Sequence, residues 1–190
     1  LPQVIEYDGG DQSLEVIMEV RVVRAIRVSS YVSMNDDDFD RLLGLAAITT
    51  VNSLVFDTKD ESGRVLYETA VPEALELGFI NPVYDPVRRI AQAKEAGLYT
   101  ITRVVSFEDG GWASARPDFK LAGSWVNPYN PDVWEYPLGL AVEACEIGFD
   151  EIQFDYVRFP AGKTAAAAGR AQPLTQKERI GAISGFLAEA

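Results

Sequence analysis

Charged side chains follow apolar runs at several points in this sequence. Asp57 and Asp155 each end an apolar run of strand-like composition, and Arg103 lies within a third run. Two carboxyl groups held close together can act as an acid and as a base or nucleophile, without a metal ion. An arginine beside Asp155 would lower the pKa of that carboxyl group, which favours a base or nucleophile. We therefore predict Asp155 and Asp57 as catalytic carboxylates, with no cofactor and no metal.

The segment 148–160, GFDEIQFDYVRFP, carries the strongest local signal. Side chains alternate along a strand, so Glu151, Gln153 and Asp155 share one face, with Asp155 at the carboxyl end. Polar side chains within a buried parallel strand are costly unless they are paired. Two interpretations of Asp155 stay open: a catalytic group, or one half of an ion pair with Arg158 that merely closes the loop.

Histidine is absent from the 190 residues, and there is one cysteine, Cys145. Histidine-dependent catalytic triads and the usual zinc sites are therefore excluded, and no internal disulfide can form. Cys145 lies in an apolar helical pattern, which predicts a small buried residue of the core. Acid–base chemistry near neutral pH must come from carboxylate, tyrosine or lysine side chains.

The charge of the chain is strongly negative, with 17 basic and 29 acidic side chains and a net charge of −12. A protein that binds nucleic acid usually presents a basic stripe to the phosphates, so we expect no nucleic-acid partner. Neutral glycans or cationic molecules fit this charge better. No run approaches the ~18 apolar residues that a membrane span requires, so we expect none in this segment.

Strand-like runs alternate with helical patterns from about residue 21 onward, and the strands lie near residues 22–31, 53–57, 98–107 and 149–155. This alternation predicts an α/β fold with a parallel sheet and right-handed crossovers. The sheet is either a doubly wound open sheet or the first half of a parallel (β/α) barrel of TIM type. The first strand is not followed by a glycine-rich phosphate loop, which disfavours a dinucleotide-binding domain.

The domain division follows from this pattern. Residues 1–20 are an acidic, weakly patterned lead-in, and residues 21–190 form the domain. Because eight strands close a barrel and four are recognisable, we expect the N-terminal part of a truncated barrel. Its open sheet edges would need the missing half-barrel or a second chain as a partner.

Functional side chains of parallel α/β folds gather beyond the carboxyl ends of the strands. We predict that a substrate-binding rim is formed there by Tyr31, Lys59, Asp60, Arg103, Tyr156, Arg158, Trp112 and Trp125. The tryptophans cluster with Tyr129 and Trp134 after the third strand. Their rings could stack on sugar rings or pack in the interior, and both interpretations stay open.

Two segments, SWVNPYNPDVWEY at 124–136 and GFDEIQFDYVRFP at 148–160, resemble a bacterial family of glycoside hydrolase-like (β/α)8 domains. The segments VFDTKDESGRVLY at 55–67 and TRVVSFED at 102–109 support this resemblance, which spans roughly residues 22–160. It implies a carbohydrate-active barrel in the extracellular space or cell envelope. It also implies strand-end functional residues at Asp57, Lys59, Asp60, Arg103, Asp155 and Arg158. Glu108 stands where the family more often has lysine, which makes the rim more acidic.

The favoured expectation is a glycoside hydrolase that cleaves a polysaccharide by carboxylate acid–base catalysis. A non-catalytic carbohydrate-binding barrel is the first alternative, because it would keep the aromatic subsites without a working acid. The second alternative is an open-sheet interaction or signalling domain whose acidic edge at Asp57 and Asp60 binds Mg²⁺.

Overall fold

The computed structural model describes residues 22–161 and 175–190. Its strands are β1 (Ala25–Arg27), β2 (Ser53–Lys59), β3 (Tyr99–Val105), β4 (Lys120–Ala122), β5 (Trp125–Val126) and β6 (Glu151–Asp155). Its helices are α1 (Ser30–Met34), α2 (Asp36–Ala47), α3 (Pro72–Leu77), α4 (Pro86–Glu95), α5 (Gly110–Ala115), α6 (Glu135–Ile147) and α7 (Gln176–Glu189), with a 3₁₀ turn at Pro131–Trp134. The predicted lead-in, residues 1–20, lies outside the described residues.

The central feature is a four-stranded parallel sheet in the order β1-β2-β3-β6. Each strand lies beside the strand that precedes it along the chain, apart from the small antiparallel hairpin β4–β5. Consecutive order is the arrangement of a (β/α) barrel, whereas a doubly wound sheet reverses its order at a switch point. The predicted α/β fold class of TIM type is confirmed, and the doubly wound alternative is wrong.

Local sequence explains where the crossover helices begin. The side chain of Asn35 accepts a hydrogen bond from the Asp38 amide at 3.1 Å and caps α2, whose first turn is acidic. The side chain of Asp85 caps α4 in the same way by accepting from the Arg88 amide at 3.2 Å, and Pro86 occupies the first helical position. Both ends satisfy amides that would otherwise lack partners and place negative charge at the positive end of the helix dipole.

Alternate residues of the strands have different surroundings. Phe56 and Val104 point into the core between the sheet and the helices, where they join Phe39, Ile90 and Leu140. The intervening residues, including Val55 and Ile101, point to the opposite face, which corresponds to the barrel interior. Asp57, Arg103 and Asp155 continue this second face at the carboxyl ends of β2, β3 and β6.

Several elements differ from the sequence predictions. The first strand contains three residues instead of about ten, and Tyr31 lies in α1 instead of at a strand end. Cys145 is exposed, so its predicted place in the core is wrong, because it lies on the outer face of α6. The short helices α3 and α5 and the hairpin β4–β5 were not predicted. Within the part of the chain that the structure covers, no helix has the length and apolar character to span a bilayer.

Candidate active site at the carboxyl ends of the strands

Arg103 is the centre of a charged cluster at the carboxyl end of β3. Its Nε donates to Asp155 Oδ2 at 2.8 Å, its Nη1 to Asp57 Oδ1 at 3.1 Å and its Nη2 to Glu61 Oε1 at 2.8 Å. One planar guanidinium therefore holds three carboxylates from β2, from the loop after it and from β6. Such charge-assisted bonds fix the geometry of the carboxylates as well as their charge.

Arg27, at the end of β1, is the second arginine of the cluster. Its Nη2 donates to Asp57 Oδ2 at 2.7 Å and to Glu61 Oε2 at 3.3 Å, and its Nε also bonds Asp57 Oδ2 at 3.1 Å. Asp57 thus lies between two guanidinium groups, with one oxygen on each. Each of the four parallel strands contributes a charged side chain to this network, and the loop after β2 contributes Glu61.

The electrostatic environment keeps the two accessible carboxylates ionised. Burial raises the pKa of Asp155, but the Arg103 hydrogen bond, the Tyr156 amide and the nearby positive charges outweigh it, so the pKa lies below its usual value. The pKa of Glu61 also lies below its usual value. Burial raises this pKa, but hydrogen bonds from the backbone amide of Glu61 and from Arg103 lower it by more. The pKa of Arg27 is raised, chiefly by its hydrogen bond to Asp57.

The three carboxylates differ in accessibility. The side chain of Asp57 is 3% exposed, whereas those of Asp155 and Glu61 are 42% and 46% exposed. A cleft of about 280 Å³ opens beside the cluster and is lined by Arg27, Ser29, Ser30, Asp57, Asp60, Glu61 and Leu66. Glu61 lines this cleft, and Asp155 does not line it but is accessible through its own exposed side chain. Asp57 is almost fully buried and holds the two arginines.

Tyr156 has an unusual backbone conformation directly after Asp155. Its φ of 55° is positive, which no other non-glycine residue in the described ranges shows. Its amide donates to Asp155 Oδ1 at 2.7 Å, so the turn also fixes the carboxylate. A non-glycine residue in this region costs of order 1 kcal/mol or more and is found disproportionately at functional sites.

An aromatic stack adjoins the cluster on the side of β6. The Tyr156 ring lies 6.1 Å from the Trp125 ring, and the Arg158 guanidinium carbon lies 4.7 Å from the Trp125 centroid and 5.5 Å from that of Tyr156. Arg158 does not close the loop through an ion pair with Asp155. Asp155 pairs with Arg103 instead.

The structure brings six of the predicted site residues to this rim, namely Asp57, Arg103, Asp155, Tyr156, Arg158 and Trp125. Asp60 lines the cleft, but its Oδ1 accepts bonds from Ser62 and Arg64 and so shapes its own loop. Tyr31 is 60% exposed on α1, directly after β1.

Lys59 and Trp112 are not brought to the rim. A register shift between Asp57 and Lys59 pairs Asp57 with Arg103 and Lys59 with the next residue, Val104, so Lys59 turns to the helix side of the sheet. There its Nζ lies 2.8 Å from Asp109 Oδ2, and both side chains are completely buried. Trp112 is also fully buried and lies beneath the same ammonium group at 5.4 Å.

The sequence analysis missed Arg27 and Glu61. Arg27 interrupts an apolar run two residues before Ser29, and this position at a strand end is the signal that could have identified it. Glu61 lies in the loop after β2, and nothing in its local pattern distinguishes it from the acidic neighbours Asp60 and Glu68.

A larger cavity, of about 730 Å³, lies away from this cluster between α3 and α6. None of its lining residues belongs to the charged network, so we assign the candidate site to the smaller cleft. Across residues 22–161 and 175–190, no group of three potential metal-ligating side chains is arranged to hold an ion.

The consecutive parallel sheet and the charged network at its carboxyl edge define a domain of the (β/α)-barrel class. A family model described as "Putative glycosyl hydrolase domain" matches residues 25–190, and the chain belongs to that family. This finding confirms the coarse expectation of a glycoside hydrolase-like family.

Comparison with solved structures agrees with the fold class. A crystal structure of a hypothetical protein from Ruminiclostridium thermocellum ATCC 27405 is similar over 87% of this chain and 89% of that chain, at 30% identity and a TM-score of 0.72. An α-galactosidase from Thermus thermophilus, in complex with p-nitrophenyl α-D-galactopyranoside, is similar in fold over 90% of this chain and 36% of that chain, at 17% identity and a TM-score of 0.57. A search of curated protein sequences gave no significant match.

Proposed function

We propose that this domain binds a carbohydrate at the rim of the sheet and takes part in hydrolysis of a glycosidic bond, with Asp155 as the ionised catalytic carboxylate. One observation carries the proposal. Asp155 is accessible at the carboxyl end of β6, while Arg103 and the Tyr156 amide hold it in place and keep it charged. Membership of the family described above supports the same reaction class.

The chemistry of Asp155 follows from its charge. Glycoside hydrolysis uses one carboxylate as nucleophile or base and one carboxylic acid to protonate the leaving group. A carboxylate with a lowered pKa suits the first role, so Asp155 would attack the anomeric carbon or activate a water molecule. We reassign Asp57 from a catalytic to a positioning role, because it is buried and orients Arg27 and Arg103.

A second function, carbohydrate binding without turnover, is favoured by one feature of the cluster. The other accessible carboxylate, Glu61, also has a lowered pKa, so it is poorly suited to donate a proton. The charged network then supplies a carboxylate that can act as nucleophile or base, but no carboxylic acid that can protonate the leaving group. Under this alternative, the same rim would hold a sugar that is cleaved slowly or not at all.

A substrate screen separates the two functions. The intact protein would be incubated with a panel of p-nitrophenyl glycosides that includes the α-D-galactopyranoside, and with oligosaccharides analysed by mass spectrometry. We expect turnover that Asp155→Asn lowers by about 10²–10⁴-fold while sugar binding is retained. The matched control is Asp40→Asn, an exposed position on α2 outside the charged network.

The outcomes of this screen are distinct. Equal turnover by the wild-type protein and Asp155→Asn would remove Asp155 from the mechanism. Binding of a sugar without cleavage by the wild-type protein would support the non-catalytic function.

A further inference from the structure

Arg158 differs from the other arginines of the rim in its partners. Arg27 and Arg103 are each committed to two or three carboxylates. Among the described residues, Arg158 forms no ion pair, and its Nη1 donates a long hydrogen bond of 3.5 Å to the Phe159 carbonyl. The side chain is exposed, so this guanidinium presents unused donors to the solvent at the mouth of the site.

The aromatic stack nevertheless holds Arg158 in one orientation. Its guanidinium lies over the Trp125 ring at 4.7 Å and beside the Tyr156 ring at 5.5 Å. Stacking on aromatic faces restricts a flexible side chain and leaves the edge of the planar group free. A free guanidinium edge with parallel N–H groups matches a carboxylate, which it can bind through two hydrogen bonds.

The position of Arg158 relative to Asp155 follows from Tyr156. The Tyr156 ring lies 5.5 Å from the Arg158 guanidinium carbon and 5.9 Å from that of Arg103, so both cations lie close to the same ring. Arg103 in turn bonds Asp155 directly at 2.8 Å. An anionic group on Arg158 would therefore belong to the sugar residue at Asp155 or to its immediate neighbour.

The charge of the whole chain limits the number of such groups. With a net charge of −12, the protein repels a polymer that carries a negative charge on every residue. A largely neutral glycan with isolated acidic residues avoids most of this repulsion and still places one carboxylate on Arg158.

We propose that Arg158, stacked on Trp125 and Tyr156, is a specificity residue that binds the carboxylate of an isolated uronic acid in a mostly neutral glycan. This inference rests on the proposed carbohydrate-binding rim and adds the chemical class of the sugar to it. In this role the rings of Trp125 and Tyr156 orient the guanidinium toward the ligand, in addition to any contact that the rings make with sugar.

Matched pairs of simple sugars test this inference. Methyl β-D-glucuronide and methyl β-D-glucoside differ at C6, where a carboxylate replaces a hydroxymethyl group, and methyl α-D-galacturonide and methyl α-D-galactoside form a second pair. Each would be titrated into the ¹⁵N-labelled protein and followed by NMR. We expect at least one uronide to bind about tenfold more tightly than its neutral counterpart and to shift the Tyr156 and Arg158 signals.

Variants assign the preference to the guanidinium. Arg158→Gln should bind both members of a pair equally, and Arg158→Lys should keep only part of the preference, because an ammonium lacks the planar fork. Arg24→Gln is the matched control. Arg24 is exposed and directly precedes β1, at the amino ends of the strands and away from the rim, so this variant should behave like the wild-type protein. Thermal unfolding of each variant establishes that it is folded.

Equal affinity for the uronide and its neutral counterpart, no binding of either uronide, or a preference that survives in Arg158→Gln would each overturn the inference. Its failure is distinguishable from failure of the proposed function. Cleavage of neutral glycosides without charge preference would leave the hydrolase proposal intact. An Arg158-dependent uronide preference without any hydrolysis would support the inference alone.

Discussion

Asp57 forms ion pairs with two arginines, Arg27 and Arg103, and its side chain is buried, so we expect these ion pairs to stabilise the fold. Replacement by asparagine keeps the shape but leaves Arg103 without one of three carboxylate partners in a nearly solvent-free position. Breaking a buried ion pair usually costs about 3–5 kcal/mol. Because Arg103 keeps Glu61 and Asp155, we expect Asp57→Asn to lower the free energy of unfolding by about 2 kcal/mol, measured by urea denaturation.

Glu61→Gln is the matched comparison for that prediction. It removes a carboxylate of the same network whose side chain is 46% exposed, so the expected loss of unfolding free energy is only about 0–1 kcal/mol. Equal losses for the two substitutions would show that burial does not set the contribution of these charges.

Asp155 also predicts a pH dependence of stability. Its folded-state pKa lies below the ordinary value of 3.8, so ionised Asp155 stabilises the fold above that value. The stabilisation is lost as the pH falls from about 4 through the lower folded-state pKa. The wild-type protein should therefore unfold at higher urea concentration than Asp155→Asn near pH 6, and this difference should shrink below about pH 4. A difference that grows in acid would contradict the lowered pKa.

At the scale of single elements, β2 shows why two nearby charged residues have different fates. Asp57 and Lys59 are two positions apart, so regular alternation places both on the face that leads to the rim. The register shift between them turns Lys59 to the other face, where it pairs with Asp109 at the start of α5. A bulge depends on how two strands pair, and the local sequence of β2 contains no pattern that predicts it.

The buried pair of Lys59 and Asp109 therefore stabilises the fold and is not expected to bind substrate. Lys59→Met should lower the free energy of unfolding by about 3–5 kcal/mol, because Asp109 is left as an uncompensated buried charge. The double variant Lys59→Met/Asp109→Asn should recover part of that loss, which a double-mutant cycle in urea measures. If the loss of unfolding free energy in the double variant equals the sum of the losses in Lys59→Met and Asp109→Asn, the two residues do not interact.

The sequence was most informative about the long elements and about the ends of strands. Four β/α units could be predicted because apolar strands such as β2 and β3 alternate with well-capped helices such as α4. Alignment of strand ends in a parallel sheet also explains why Asp57, Arg103 and Asp155 could be expected together. Short elements such as α3 escaped prediction, because six residues hold too little periodicity and depend on tertiary packing.

The same division applies to the site. Strand-end positions could be predicted from the sequence, but the choice of partners could not. Arg103 faces three carboxylates and Arg158 faces none among the described residues, although both are arginines near strand ends. That difference arises from the turn at Tyr156 and from the position of Trp125, which comes from a hairpin far away in sequence.

At the scale of the whole molecule, the sheet predicts a gradient of stability from its centre to its edges. Within the described residues β2 and β3 each have a strand neighbour on both sides and are almost entirely buried, whereas β1 and β6 have one neighbour each and are partly exposed. Backbone amides exchange with solvent most slowly where opening requires global unfolding. We therefore expect amides of β2 and β3 to exchange far more slowly than those of β6 in hydrogen-exchange mass spectrometry.

The exchange of β6 decides whether this edge of the sheet is open. Strand edges with unpaired amides are sites where another strand can add. Fast exchange in β6 would match the edge that the described residues show. Protection of β6 equal to that of β3 would contradict it and would mean that a further strand, from outside the described residues or from a second copy, pairs there. The molar mass in solution distinguishes these two sources, and either would bring a further strand end next to Asp155.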